Sequence, residues 1–193
     1  MVRPRQFNRE QAVQAATRIF WNRGYDGASL PELLAAMHLS RSSLYNTFGD
    51  KQTLFHHTLD YYQGTIGAFK RQPLVQEGEP AKERIRLYFH RLMEAALSED
   101  WPGGCYFTNA AASLETADEE TKAKIKGSLL SLEAAFLDVL MQGQEAGELD
   151  PSLNLKYKSS MLFGLSQGMN VAARVYRDKA MLEAMLEGAQ TGW

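Results

Sequence analysis

The run Ser29-Leu-Pro-Glu-Leu-Leu-Ala-Ala-Met-His-Leu-Ser40-Arg-Ser-Ser-Leu-Tyr-Asn-Thr-Phe48-Gly-Asp-Lys51 decides the fold. Ser29 can cap a helix, Pro31 is tolerated in its first turn, and Glu32 stands three residues on, as in a capping box. Leu30, Leu33, Leu34 and Met37 follow at the i, i+3, i+4, i+7 spacing of an amphipathic helix. The pattern stops at His38-Leu39. Ser40 caps the next helix, in which Leu44 and Phe48 lie one turn apart on one face, and Asp50 caps another that starts at Lys51. Only a tight turn fits between these two short helices, so His38 is expected at positive φ, which His tolerates better than most residues.

Working outward, Asn8 and Gln11 form a partial capping box for an upstream helix. Val13, Ala16, Ile19 and Phe20 face inward on it, and Gly24 ends it. The three helices form a helix-turn-helix unit, whose third helix is built to enter a major groove with its N-terminal residues toward base edges. Arg41, Ser42, Ser43, Asn46 and Thr47 lie off the Leu44/Phe48 stripe and are polar. Tyr45 and Lys51 can donate to phosphates on either side. Charge agrees. Residues 1–56 carry seven Lys or Arg against four acids, a surplus of +3, whereas the whole chain is −2.

Downstream, Gln72-Pro73 and Gly78-Glu-Pro80 predict a loop. Helices are then expected over about 80–98, 104–115, 118–146, 152–176 and 178–189. No alternating strand run and no internal repeat interrupts them, so the chain reads as all-α. The expected organisation is a helix-turn-helix unit at 1–50, a linker helix at 51–71 and a ligand-binding and dimerisation domain at 72–193.

The residues Ser29 to Phe48, the Gly49-Asp-Lys51…Leu54-Phe55 that follows and the upstream Ile19-Phe20…Gly24-Tyr25…Ser29 resemble the TetR family of bacterial regulators. The resemblance is specific over about residues 8–56. It implies a homodimeric helical repressor or, less often, an activator, acting on a double-stranded DNA operator under control of a small-molecule effector. It puts Ser29, Arg41, Ser42, Ser43, Tyr45, Asn46, Thr47 and Lys51 at positions that meet DNA. Two residues depart from the family's habit. His38 stands where Gly is frequent, and Thr47 where His is frequent, so the operator cannot be borrowed from a relative.

In the C-terminal half, Ile125, Leu129, Leu132, Phe136, Val139 and Gly143 repeat nearly every seven residues, as do Met161, Leu165, Gly168, Ala172 and Val175. These stripes are expected to form a symmetric four-helix dimer interface. Aromatics with a few polar residues among them suggest an effector pocket lined by Tyr62, Tyr88, Met93, Trp101, Cys105, Phe107, Asn109, Phe163 and Gln167. The single cysteine follows Gly103-Gly104 at an expected helix start, where backbone N–H groups can stabilise a thiolate, and its plainer reading is a small buried apolar side chain. Its setting resembles a subgroup of the family, some of whose members sense electrophiles or oxidants.

Competing functions find little support. There is no Gly-rich phosphate loop, no metal-ligand spacing and no paired carboxylates, so neither an enzyme nor a cofactor is expected. His56 and His57 are adjacent and point about 100° apart on a helix. One cysteine makes no intramolecular disulfide, the apolar run at 129–140 is short and carries Glu133 and Asp138, and Arg18 and Arg23 break any signal core. A cytoplasmic, non-membrane protein is expected. The remaining alternative is a helical small-molecule-binding or protein-partner module without DNA binding, which leaves the polar third helix unexplained.

Overall fold

The computed structural model describes residues 8–190, and every regular element among them is helical. The chain divides into two compact units, with the boundary between Tyr62 and Gln63.

The N-terminal unit holds α1 (Arg9–Gly27), α2 (Leu30–Met37), α3 (Arg41–Phe48) and α4 (Lys51–Tyr62). Its starts are fixed by side-chain caps. Asn8 accepts from the Glu10 and Gln11 amides, Ser29 from Glu32, Ser40 from Ser43 and Asp50 from Thr53. The hydrogen bonds from Thr53 hold the Asp50 carboxyl below its usual range. Regular geometry in α1 breaks at Gly24, which takes φ 73° and ψ 176°. The core is aromatic: Phe20 meets Phe55 edge-on at 5.0 Å, and Trp21 meets Tyr62 edge-on at 5.0 Å, with Leu33, Leu44 and Leu59 fully buried among them.

The second unit opens with a π-helical segment, Gln63–Gly67, then α5 (Ala68–Val75), α6 (Ala81–Leu97), α7 (Tyr106–Ala111), a 3-10 turn (Leu114–Thr116), α8 (Glu119–Glu145), α9 (Leu155–Tyr176) and α10 (Lys179–Gln190). Two sequence expectations change here. Gln72-Pro73 is no loop but lies inside α5. Proline has no N–H for the carbonyl four residues back, Phe69, and the guanidinium of Arg91 supplies that donor at 2.9 Å. Arg84 closes the same helix by donating to the Pro73 and Leu74 carbonyls. The helix expected over 104–115 is much shorter, so its N-terminus contributes little field at Cys105.

Asp118 and Asn154 cap α8 and α9, and Arg177, at φ 50°, ends α9. The Arg177 guanidinium then donates to the Leu97 and Ser98 carbonyls at the end of α6. In the core, Tyr88 lies edge-on to Phe136 at 5.0 Å, and Phe89 stacks on the same ring at 5.9 Å. This corrects the expected dimer stripe on α8. Ile125, Leu132, Phe136, Val139 and Gly143 are already buried within the unit itself, and Leu129 is half-buried. A Cβ on Gly143 would come within 2.5 Å of the Ala81 methyl. What faces outward on α8 is Leu130, Ala134 and Met141, with Leu137 half-buried; on α9 it is Met161, Gly164, Gly168, Val171 and Val175. Of the α9 stripe named from sequence, Met161, Gly168 and Val175 lie on that outer face, Leu165 is half-buried and Ala172 is buried.

Candidate nucleic-acid interface

His38 adopts φ 54° and ψ 40°, the left-handed turn that its position requires. Its amide bonds the Ala35 carbonyl and the Leu39 amide reaches the Leu34 carbonyl, closing the end of α2 before Ser40 opens α3. Leu44 and Phe48 anchor α3 from below, so the opposite face is left to solvent.

On that face Arg41, Ser42, Tyr45 and Asn46 are exposed, while Ser43 and Thr47 are half-buried. The Arg41 guanidinium lies 5.7 Å from the Tyr45 ring centroid. The hydroxyls of Ser42 and Ser43 both bond the Ser40 hydroxyl, at 3.0 and 2.9 Å, so the cap aligns the first turn's polar groups. Ser29 is exposed and caps α2. Lys51 is half-buried at the start of α4, with its ammonium 4.5 Å from the Tyr25 ring. Arg9, which the sequence reading passed over, ties the unit together: its guanidinium lies 5.3 Å from the Phe48 ring and 3.2 Å from His57 Nε2.

Of the residues expected around an effector, Tyr62 lies in the N-terminal unit, edge-on to Trp21. The others lie in the second unit. Met93 and Phe163 belong to or pack on its main apolar core. Tyr88, Cys105 and Phe107 are buried, and Trp101 and Asn109 are half-buried. Gln167 accepts from Thr108 at 2.7 Å and donates to Ser166 at 3.0 Å, and Ser166 also bonds the Tyr88 phenol, whose pKa burial raises. Sequence reasoning missed Lys70, whose side chain bonds Cys105. A charged residue in a helix gives no sign that it is buried. Also missed was a mostly apolar groove of about 620 Å³, lined by Leu114, Ala123, Ile125, Leu129 and Leu130 among others.

Comparison with known proteins agrees with this geometry. Residues 12–58 match the family model for bacterial regulatory proteins of the tetR family, and residues 81–189 match that for the tetracyclin repressor-like C-terminal domain. The HTH-type transcriptional repressor ComR of Escherichia coli is 29% identical over 98% of this chain and 89% of its own. The uncharacterized HTH-type transcriptional regulator YezE of Bacillus subtilis is 30% identical over 78% of this chain and 77% of its own. Among solved structures, a cysteine mutant of the TetR family regulator CifR, complexed with 26bp double-strand operator DNA, superposes with a TM-score of 0.87 at 29% identity. It covers 99% of this chain and 100% of that one. The chain belongs to the TetR family of bacterial regulatory proteins.

Proposed function

We propose that this protein is a homodimeric, sequence-specific DNA-binding repressor whose α3 reads an operator in the major groove. The observation that carries the reading is α3 itself. It is an eight-residue helix pinned by Leu44 and Phe48, capped at Ser40, and presenting Arg41, Ser42, Tyr45 and Asn46 to solvent. Arg41 and Asn46 have the side chains that bond guanine and adenine edges in bidentate fashion. Ser42, Ser43, Thr47, Tyr45 and Lys51 supply shorter donors suited to the backbone on either side, and Ser29 sets the cap of the supporting helix. The likeness to the operator-bound CifR supports the same reading.

The second copy is expected on the outward face of α8 and α9, where Leu130, Met141, Met161, Val171 and Val175 are exposed. An apolar stripe of this length on two adjacent helices suits an isologous interface. A small effector, or modification of the Cys105 thiol, would release the DNA by favouring the DNA-free arrangement, with Tyr88, Met93, Trp101, Phe107, Asn109, Phe163 and Gln167 around it. The test is selection of bound genomic fragments by the purified protein, followed by gel shift on the enriched sequence. Enrichment of no sequence over random DNA would remove the operator reading.

A further inference from the structure

Two neighbouring side chains of α5 face the wrong way for their chemistry. Lys70 is only 5% exposed, and Phe69 is 40% exposed. Burial strips water from the Lys70 amine and lowers its pKa from the ordinary value, and a hydrogen bond with Cys105 offsets part of that loss. Phe69 keeps its ring in water, with the Arg91 guanidinium 4.9 Å from its centroid. Turning this stretch of helix by one residue, about 100°, would correct both at once. Ile66, half-buried, would follow Phe69 inward, and Gly67 would follow Lys70 out.

The slack for that rotation is already in the helix. The π-helical turn at Gln63–Gly67 holds one residue more than an α turn would. Moving the extra residue one place along exchanges an i→i+5 bond for an i→i+4 bond, so it can travel wherever a later turn can hold it. Pro73 makes such a turn. Its missing N–H leaves the Phe69 carbonyl without a helical partner, a gap that Arg91 now fills. In a wide turn that carbonyl would meet the Leu74 amide instead and would no longer need Arg91. Beyond it α5 is anchored, since Arg84 holds the Pro73 and Leu74 carbonyls. The cost falls on side chains: Lys70 leaves Cys105, and Arg71 must swing on its bonds to Ser128 and Ser131. Against it stands the apolar surface that Ile66 and Phe69 would bury.

We propose that the extra residue shuttles between the Gln63–Gly67 turn and the turn ahead of Pro73, giving α5 two registers. Gly67 and Lys70 face inward in one, Ile66 and Phe69 in the other. The segment stays helical throughout, and only the residues between the two turns change direction. The registers offer the interior either an amine or a ring on the side where Cys105 lies. A molecule bound there would favour one over the other, which is the two-state element that control by an effector requires.

The full-length protein is pulsed with sulfo-N-hydroxysuccinimidyl acetate, and acetylation of each lysine is followed by peptide mass spectrometry. Lys158 is the internal control, since it is also buried, at 9% exposure, and lies on α9. Wild-type Lys70 should be acetylated well ahead of Lys158, while the α5 amides stay protected from hydrogen exchange. Deleting Gly64 removes the extra residue and fixes Lys70 inward, so its acetylation should slow by roughly tenfold or more. A folded deletion variant with the wild-type Lys70 rate overturns the proposal, as does a wild-type Lys70 labelled no faster than Lys158. If the deletion variant does not fold, Phe69→Asp decides. A carboxylate at this exposed position penalises only the register that turns it inward, so Lys70 labelling should again fall by roughly tenfold. An unchanged rate in Phe69→Asp overturns the switch. Neither DNA nor effector enters these measurements, so failure here leaves the repressor reading standing.

Discussion

The ammonium of Lys51 stands 4.5 Å from the centroid of the Tyr25 ring, and that ring lies edge-on to Phe55 at 5.2 Å. The cation is therefore steered by the N-terminal unit's own aromatic core, and less side-chain freedom would be lost in the phosphate contact proposed for it. Lys51→Ala should weaken binding equally on operator and random DNA and reduce the salt slope by about one. Tyr25→Leu should do the same in smaller degree. Fluorescence anisotropy across a salt series measures both, and a change confined to the operator would contradict the phosphate role.

Asn46 is exposed on α3 and suited to an adenine edge. Asn46→Ala should cost roughly 1–3 kcal/mol on the operator and leave non-specific affinity nearly unchanged. Equal losses on scrambled duplex would move Asn46 from the base-reading set to the backbone set.

At His38 the left-handed backbone sets the sign of substitutions. His38→Gly should be neutral or stabilising by up to about 1 kcal/mol, and His38→Ile should destabilise by roughly 1–2 kcal/mol, as read by urea unfolding.

Two glycines should respond in opposite ways. Gly104→Ala places a methyl 2.6 Å from the Asn170 carbonyl oxygen at φ 70°, and should cost roughly 2–4 kcal/mol. Gly64, in the π-helical segment, has nothing within 4 Å of a notional Cβ, so Gly64→Ala should be neutral or gain about 0.5–1 kcal/mol. Thermal and urea unfolding of both variants check the contrast.

The relocated outer face makes a further expectation. Val171→Glu and Leu130→Glu should give folded monomers with sharply reduced operator affinity, because a dimer must hold its recognition helices about 34–36 Å apart. Phe136→Glu, on the inner face, should instead unfold the C-terminal unit. Sedimentation and circular dichroism separate these outcomes, and a Val171→Glu chain that remains dimeric would put the interface elsewhere.

The helix-turn-helix was legible because its signals are local. Ser29, Ser40 and Asp50 cap helices through bonds to amides three residues away, and His38 marks a turn that backbone sterics permit to few residue types. The α8 stripe was legible as a period but not as a direction, since both faces of that helix carry apolar residues. The rings of Tyr88 and Phe89, far away in sequence, decide which face is buried. Pro73 misled because its missing donor is replaced by Arg91, eighteen residues on. Lys70 was hidden by register. Along an unbroken helix the inward stripe through Tyr62 would continue at Phe69, but the wider turn at Gln63–Gly67 absorbs one extra residue. Phe69 is consequently 40% exposed, beneath the Arg91 guanidinium, and Lys70 is buried.

That extra residue makes the inner face of α5 tolerant of one change of length. Losing a single codon within Gln63–Gly67 would let the helix close into ordinary α geometry with no loss of helical hydrogen bonding. Every following side chain of α5 would keep its direction, with Lys70 still inward and Phe69 out. Straightening the same turn at full length would instead turn them by about 100°, bringing Phe69 inward and Lys70 out. A lineage could thus shed the wide turn in one genetic step without disturbing any residue that α5 buries.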